Sequence, residues 1–525
     1  MKFAASIAFP LFASAALVAC VSAPDPSDAA DPSTENLSAA VCASAPQWAE
    51  NVAYAVGSVV MYGGKAYQCI QGHTSLSTWA PDVVPALWQE STCEGSGAST
   101  SASTSSSTSA GNGGSGGNGG NGGNGGSGAS GSGGGNGGSG GGGLTDGRII
   151  GYFAEWGVYG RGYHVKNIDT SGSAAKMTHI NYAFGNVVNS RCQLGDTYAD
   201  YDRAYSAAES VDGVADTWDN GVLRGSFNQL RKLKQKYPHL KVMISLGGWS
   251  WSAGFSDAAL PQNRAAFVSS CVDLFIKDSR WAGLFDGIDV DWEYPGSCGN
   301  TCAYRPEDTQ NFTALLAEFR GQLDAVDPDL ELSIAAPAGL DKIAKIDVGA
   351  IHQYLDFVNV MTYDMHGAWE TTTNFHAALY NASANPAKAL KYSTDEALGA
   401  WLAGGTPPGK LVMGVPFYGR GWTGVAGGNN GLWQTAAGGA QGAYEVGIED
   451  YKVLKAKGHP GFTHPDTKSY WTFNGTEFWS YDTPASLAVK MDYIKSKGLG
   501  GAMFWELSGD TANGELIQAV HSGLQ

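Results

Sequence analysis

Positive charge is scarce in this chain: 32 Lys and Arg stand against 49 Asp and Glu, a formal net charge of −17 over 525 residues. A surface of that sign repels nucleic acid and anionic lipid headgroups, whereas an uncharged ligand is indifferent to it. Histidine, at 10, and cysteine, at 8, are also sparse. Cys298 and Cys302 are spaced like a ligand pair, but no His or Cys partners follow at zinc spacing, so no metal site is expected and no cofactor is called for. Long apolar runs are missing after the N-terminus. Phe3–Val18 is too short to cross a bilayer as a mature helix and, with Lys2 before it, reads as an export signal.

Residues 1–20 therefore form an expected signal peptide, and Leu17-Val18-Ala19-Cys20 resembles a bacterial lipobox, which would make Cys20 the lipidated first residue. The rival cut after Val21-Ser22-Ala23 would leave Pro24 at a position that suits the ordinary peptidase poorly. The protein is thus expected to be exported, as a cell-surface lipoprotein or a secreted form, with contact to membrane only through that anchor. Residues 21–41, rich in Ser, Ala, Asp and Pro, read as a disordered tether.

Composition changes sharply over 42–93, where Trp48, Tyr54, Val60, Tyr62, Tyr67, Trp79 and Trp88 crowd a short segment. Val59–Cys69, with Gly63-Gly64 at its centre, predicts a β-hairpin. A unit this small buries little core, and a Cys42–Cys93 disulfide would help hold it. Tyr67-x-Cys69, His73-Thr74-Ser75 and Trp79-x-Pro81-x-x-x-Pro85-Ala86-Leu87-Trp88 resemble carbohydrate-binding module families 5 and 12, which bind chitin. The resemblance makes Trp79 the exposed ring laid on a chitin surface, with Tyr67 as a second contact, and puts Trp48 and Trp88 in the core. Residues 94–146 are almost wholly Gly, Ser, Asn and Thr, a flexible linker spanning roughly 40 Å r.m.s.. Gly117–Gly122 fits the GxGxxG pattern by composition only, since no strand precedes it and no helix follows.

From 147 to 525 candidate strands alternate with helical patterns: 148–154, 177–185, 241–247, 287–293, 331–336, 357–363, 411–416 and 501–506. That alternation predicts a (β/α)8 barrel of the α/β class, with chemistry at the C-terminal strand ends. The gap between strands seven and eight is too long for one helix, so about 422–480 is expected to form a small α+β insertion beside the cleft. With the all-β N-terminal module, this completes the expected domain organisation. Cys298 and Cys302 read as a short disulfide in the loop after strand four, Cys192 and Cys271 pair by elimination, and Cys69 is left as a buried thiol.

The fourth strand carries Asp289, Asp291 and Glu293 at alternate positions, which places three carboxylates on one face. Mutual repulsion raises at least one pKa, as a general acid working near neutral pH requires. Asp286 has the opposite parity and reads as a turn cap. The full run Asp286-Gly287-x-Asp289-x-Asp291-x-Glu293 matches the DGxDxDxE signature of family 18 glycoside hydrolases, the chitinases, and the resemblance extends over about 147–525.

That resemblance implies retaining hydrolysis of chitin assisted by the substrate's own N-acetyl group. Glu293 would be the acid, Asp291 would hold the acetamido N–H, and Asp289 would share charge and a proton with Asp291. Tyr363 would donate to the acetamido oxygen, and Asp364 would contact the distorted sugar. Trp505 would floor the cleaved sugar. Trp156, Trp249, Trp369, Met361, Tyr152 and Arg420 would line further subsites, while Ser245, Gly247 and Gly248 would only make room. The partners implied are chitin and chitooligosaccharides, bound by a monomer. A non-catalytic chitin lectin and an endo-N-acetylglucosaminidase are the alternatives. The lectin would lack the acid at 293, and the latter would not be expected to carry the module.

Overall fold

The structure, a computed structural model, describes residues 147–525 continuously and, before them, 36–37, 45–49, 52–54, 57–69, 73–75, 80–81 and 88–93. Cys20, Cys42, Trp79, the tether up to residue 35 and the linker therefore lie outside the described residues.

In the N-terminal part, Val59–Tyr62 pairs antiparallel with Lys65–Cys69 across the expected hairpin. Gly63 and Gly64 have φ of 57° and 82°, the left-handed pair that a two-residue hairpin turn requires. Val60, Tyr67 and Trp88 are buried, and Trp48 packs edge-on against Tyr62 with ring centroids 5.3 Å apart. Tyr67 is only 5% exposed and belongs to this core. Its ring has no face to offer a solid surface, which corrects its expected role as a chitin contact. Cys69 is a buried thiol whose Sγ lies 3.8 Å from the Tyr54 carbonyl oxygen.

The barrel strands are β1 (Arg148–Ala154), β2 (His179–Val188), β3 (Lys241–Gly247), β4 (Gly287–Asp291), β5 (Glu331–Ala336), β6 (Phe357–Val360), β7 (Leu411–Pro416) and β8 (Gly501–Trp505). Each pairs in parallel with the next, and β8 closes the ring on β1. Four strands keep their expected bounds. β2 is shifted and runs on into an antiparallel hairpin with Arg191–Leu194. β4, β6 and β8 stop short of 293, 363 and 506, because there the chain leaves the ladder and turns over the barrel mouth.

Helices pack outside the ring. In Asp308–Asp324, Phe312, Leu315, Leu316, Phe319 and Leu323 are all buried, the stripe that their 3.6-residue spacing demands. Ile150, Tyr152, Met243, Phe357, Val412 and Met503 fill the barrel interior, so it is a packed core and not a pore. Asp286 sits at the opposite end from the site, where its carboxylate accepts from Lys234 Nζ at 2.6 Å and the Val242 amide at 2.7 Å. It is a cap, as its parity indicates.

The insertion runs from Tyr418 to Tyr481, beginning earlier than about 422 because only Phe417 separates β7 from its first strand. Its antiparallel sheet and the Tyr451–Lys457 helix are tied to the loop after β1 by Arg161, whose Nη1 lies 2.7 Å from Asp450 Oδ1. Disulfides join Cys192 to Cys271 and Cys298 to Cys302. Among the described residues no helix is long and apolar enough to cross a membrane.

Candidate active site

Register builds the site from the inside of the barrel outward. β3–β4 and β4–β5 pairing puts Ser245, Asp289 and Ser333 side by side, and β1 and β6 bring Tyr152 and Asn359 to the same level. Asp289 is fully buried and accepts four hydrogen bonds. Tyr152 Oη and Ser245 Oγ each donate to Oδ2 at 2.8 Å, and Ser333 Oγ and Asn359 Nδ2 donate to Oδ1 at 2.5 and 3.3 Å. Burial pushes its pKa up and these donors pull against that rise, because they favour the charged form.

With both oxygens engaged, Asp289 is not bonded to Asp291. The expected Asp289–Asp291 proton sharing is therefore corrected. Tyr152 is corrected with it: 2% exposed and spent on Asp289, it supports the site from below and does not meet a sugar. Ser245 likewise does more than make room. Gly247 keeps the expected role, since a Cβ there would stand 2.5 Å from the Asp291 carbonyl oxygen.

Asp291, 4% exposed, ends β4 with its Oδ1 buried and without a hydrogen-bond partner in the protein. Burial pushes its pKa well up, and the charges of Glu293 and then Asp289 add to the push. Glu293 lies beyond the ladder and is partly buried. Burial pushes it up, a hydrogen bond with Tyr294 pulls against that and the charge of Asp364 adds to it, and together they raise it to about 7. Asp291 and Glu293 thus titrate as one pair that holds a proton near neutral pH. The charge coupling expected along this row of acids therefore acts on Asp291 from both sides, with Glu293 the stronger neighbour and Asp289 the weaker.

Tyr363 and Asp364 follow β6. Tyr363 Oη points toward Met503 Sδ at 3.6 Å. Asp364 takes a positive φ of 56° and is clamped by Arg420, Nε to Oδ1 and Nη2 to Oδ2 both at 2.8 Å, with Tyr418 Oη donating to Oδ1 at 2.7 Å. Despite the burial, Arg420 and His376 hold the Asp364 carboxyl far below the usual range, so it stays ionised. Arg420 also lies under Trp369, 5.0 Å from its ring centre, and so joins the insertion to the aromatic rim.

Trp505, Phe184 and Trp156 form a continuous aromatic floor, with Phe184 stacked on Trp505 at 5.8 Å and on Trp156 at 6.1 Å. Trp156, Trp249 and Trp369 are 38%, 53% and 59% exposed, unusual for rings this large and suited to a ligand surface. Met361 is partly buried against the inner layer. Five residues of the site are not singled out by the sequence. Phe184 lies near the end of β2 at the chemical face, and its position carries the signal. Ser252, whose Oγ accepts the Glu293 amide at 2.8 Å, and Ser333, Asn359 and His376 have none, because serine, asparagine and histidine at these places look ordinary.

Residues 148–510 match Glycosyl hydrolases family 18, and residues 47–89 match Carbohydrate-binding module family 5/12. Chitinase 63 of Streptomyces plicatus is 50% identical over 381 residues, covering 72% of this chain and 60% of that protein. Chitinase C of Streptomyces lividans is 50% identical over 371 residues, covering 70% of this chain and 58% of that one. The chain thus spans about three fifths of the length of these curated relatives. Among solved structures, the catalytic domain of psychrophilic chitinase B from Arthrobacter TAD20 superposes with a TM-score of 0.70 at 45% identity, covering 73% of this chain and 96% of that one.

Proposed function

The chain belongs to family 18 of the glycosyl hydrolases, and from that premise we propose that it is a retaining chitinase cleaving β-1,4 bonds between N-acetylglucosamine units. One observation carries the reading: Glu293, raised to about 7 and coupled to Asp291, lies at the barrel mouth whose aromatic floor is Trp156, Phe184 and Trp505. A carboxylic acid poised there can protonate a glycosidic oxygen at neutral pH. Asp289 is occupied by its four donors and Asp364 by Arg420, so neither is free to attack an anomeric carbon. As membership of family 18 implies, the substrate's own acetamido oxygen takes that part, a recognised exception to the two-carboxylate scheme.

Glu293 gives its proton to the leaving oxygen and then activates water. Asp291 orients the acetamido N–H and offsets the positive charge of the cyclic intermediate, and Tyr363 donates to the acetamido oxygen. Asp364, pinned by Arg420, holds its backbone turn beside the sugar. Trp249 and Trp369 stack further sugar units on either side. Incubation with colloidal chitin and with short labelled oligomers tests the reading: soluble oligomers of retained anomeric configuration are expected. Intact substrate would overturn it in favour of a lectin.

The module's part is to hold the enzyme on solid chitin through Trp79. Trp79→Ala is expected to weaken binding to insoluble chitin by about 1–3 kcal/mol, by analogy with ring stacking on bases. Turnover of soluble oligomers should not change, since the linker uncouples the two parts. Loss on soluble substrate would place Trp79 in the module core instead. The export signal ends at Cys20 as a lipidated residue in this reading. Cys20→Ser should then move the protein from the membrane fraction of a bacterial host to the soluble one, and equal fractionation of both forms would dismiss the anchor.

A further inference from the structure

Glu293 is held through its main chain from two sides. On one, its amide donates to Ser252 Oγ at 2.8 Å, and that hydroxyl lies 2.8 Å from the Gly248 carbonyl oxygen, so the segment after β3 anchors it. On the other lies Gly299. A Cβ there would stand 2.2 Å from the Glu293 carbonyl oxygen and 2.9 Å from its carbonyl carbon, closer than any side chain tolerates.

The loop that delivers Gly299 has little else to keep it in place. Cys298 and every residue from Asn300 to Tyr304 are exposed. Its local ties are short-range: the Gly299 amide donates to the Thr301 carbonyl at 3.0 Å, the Tyr304 amide to the Cys302 carbonyl at 3.0 Å and the Ser297 amide to the Tyr294 carbonyl at 3.3 Å, and the Cys298–Cys302 disulfide encloses the first of these. On its outer side the same loop lines an open cavity of about 640 Å³ with Tyr304, Lys342 and Lys345, so no packed layer presses it inward. An exposed segment without buried apolar area gains chain entropy by opening, and a covalent closure removes that freedom.

We infer that the Cys298–Cys302 clip positions the general acid: it keeps Gly299 against the Glu293 carbonyl and thereby sets where the Glu293 carboxyl points. This rests on the reading of Glu293 given above. Cys298, Gly299 and Cys302 are positioning residues and touch no substrate.

The test uses the full chain carrying Cys298→Ser with Cys302→Ser, which leaves Cys192–Cys271 intact. Two substrates of equal sugar length are compared. One is a chitin oligomer, whose sugar leaving group needs the acid's proton. The other is a dinitrophenyl glycoside, whose leaving group departs without it. A small displacement of a catalytic group can cost up to about 10²-fold. We expect kcat/KM to fall about tenfold on the oligomer and less than about twofold on the dinitrophenyl glycoside, with oligomer affinity kept. Gly299→Ala should repeat the pattern more strongly.

Equal losses on both substrates, meaning general damage, or no loss on either would overturn the inference. Glu293→Gln is assayed alongside. If it retained turnover, the reading of the acid would fall and this inference with it. If it were inactive while the cysteine variant behaved as wild type, only this inference would fall.

Discussion

Glu293→Gln is expected to lower turnover of chitin oligomers by at least about 10²–10⁴-fold while oligomer affinity survives. The amide keeps the shape of the side chain and one hydrogen-bond donor but has no proton to transfer. The loss is expected at the upper end or beyond, because the same group activates the water in the second step. The pH dependence follows from the same observation. Burial, opposed by Tyr294 and aided by Asp364, raises Glu293 to about 7. The acid works only while protonated, so wild-type turnover should be full below that pH and fall about tenfold per pH unit above it. The residual activity of Glu293→Gln should show no such fall. Steady-state kinetics on labelled oligomers across neutral pH read both quantities. Near wild-type turnover in the variant would remove Glu293 from this role.

Asp291→Asn is the second large effect. Asp291 ends β4 with an unpartnered buried oxygen, and its expected part is to hold the acetamido group as positive charge develops. Removing one preorganised partner of a developing charge costs about 10²–10³-fold in kcat, and a loss of that order is expected here. Burial and the charge of Asp364 are what raise Glu293, and both remain in the variant, so the alkaline limb of the pH profile should stay near about 7 while turnover falls. A limb that moved well below about 7 would show that Asp291 carries part of that rise.

These two residues are legible in the sequence because they lie two apart in one short run, the simplest relation a strand can express. The same holds for the hairpin turn at Gly63-Gly64 and for the apolar stripe of the helix Asp308–Asp324, both patterns within a few residues. The insertion is legible only as excess length between β7 and β8, so its expected start falls a few residues late. Tyr67 and Tyr152 mislead for a common reason. An aromatic residue in a binding motif looks the same whether its ring faces solvent or core, and both are buried.

By itself, then, the sequence determined the division into module and barrel, the order of the strands and the spacing of the acids. Each of these follows from composition or from neighbours along the chain. Only the tertiary structure decided which carboxylate is quenched and which is poised. Asp289 is surrounded by donors from β1, β3, β5 and β6, the first of them 137 residues away along the chain. Nothing of that kind reaches the buried oxygen of Asp291, and Glu293 beside it sits near 7. Burial raises all three alike, and what separates them is the set of donors that barrel closure brings within hydrogen-bond reach. That set is a property of strand register across the ring, which no local pattern of residues contains.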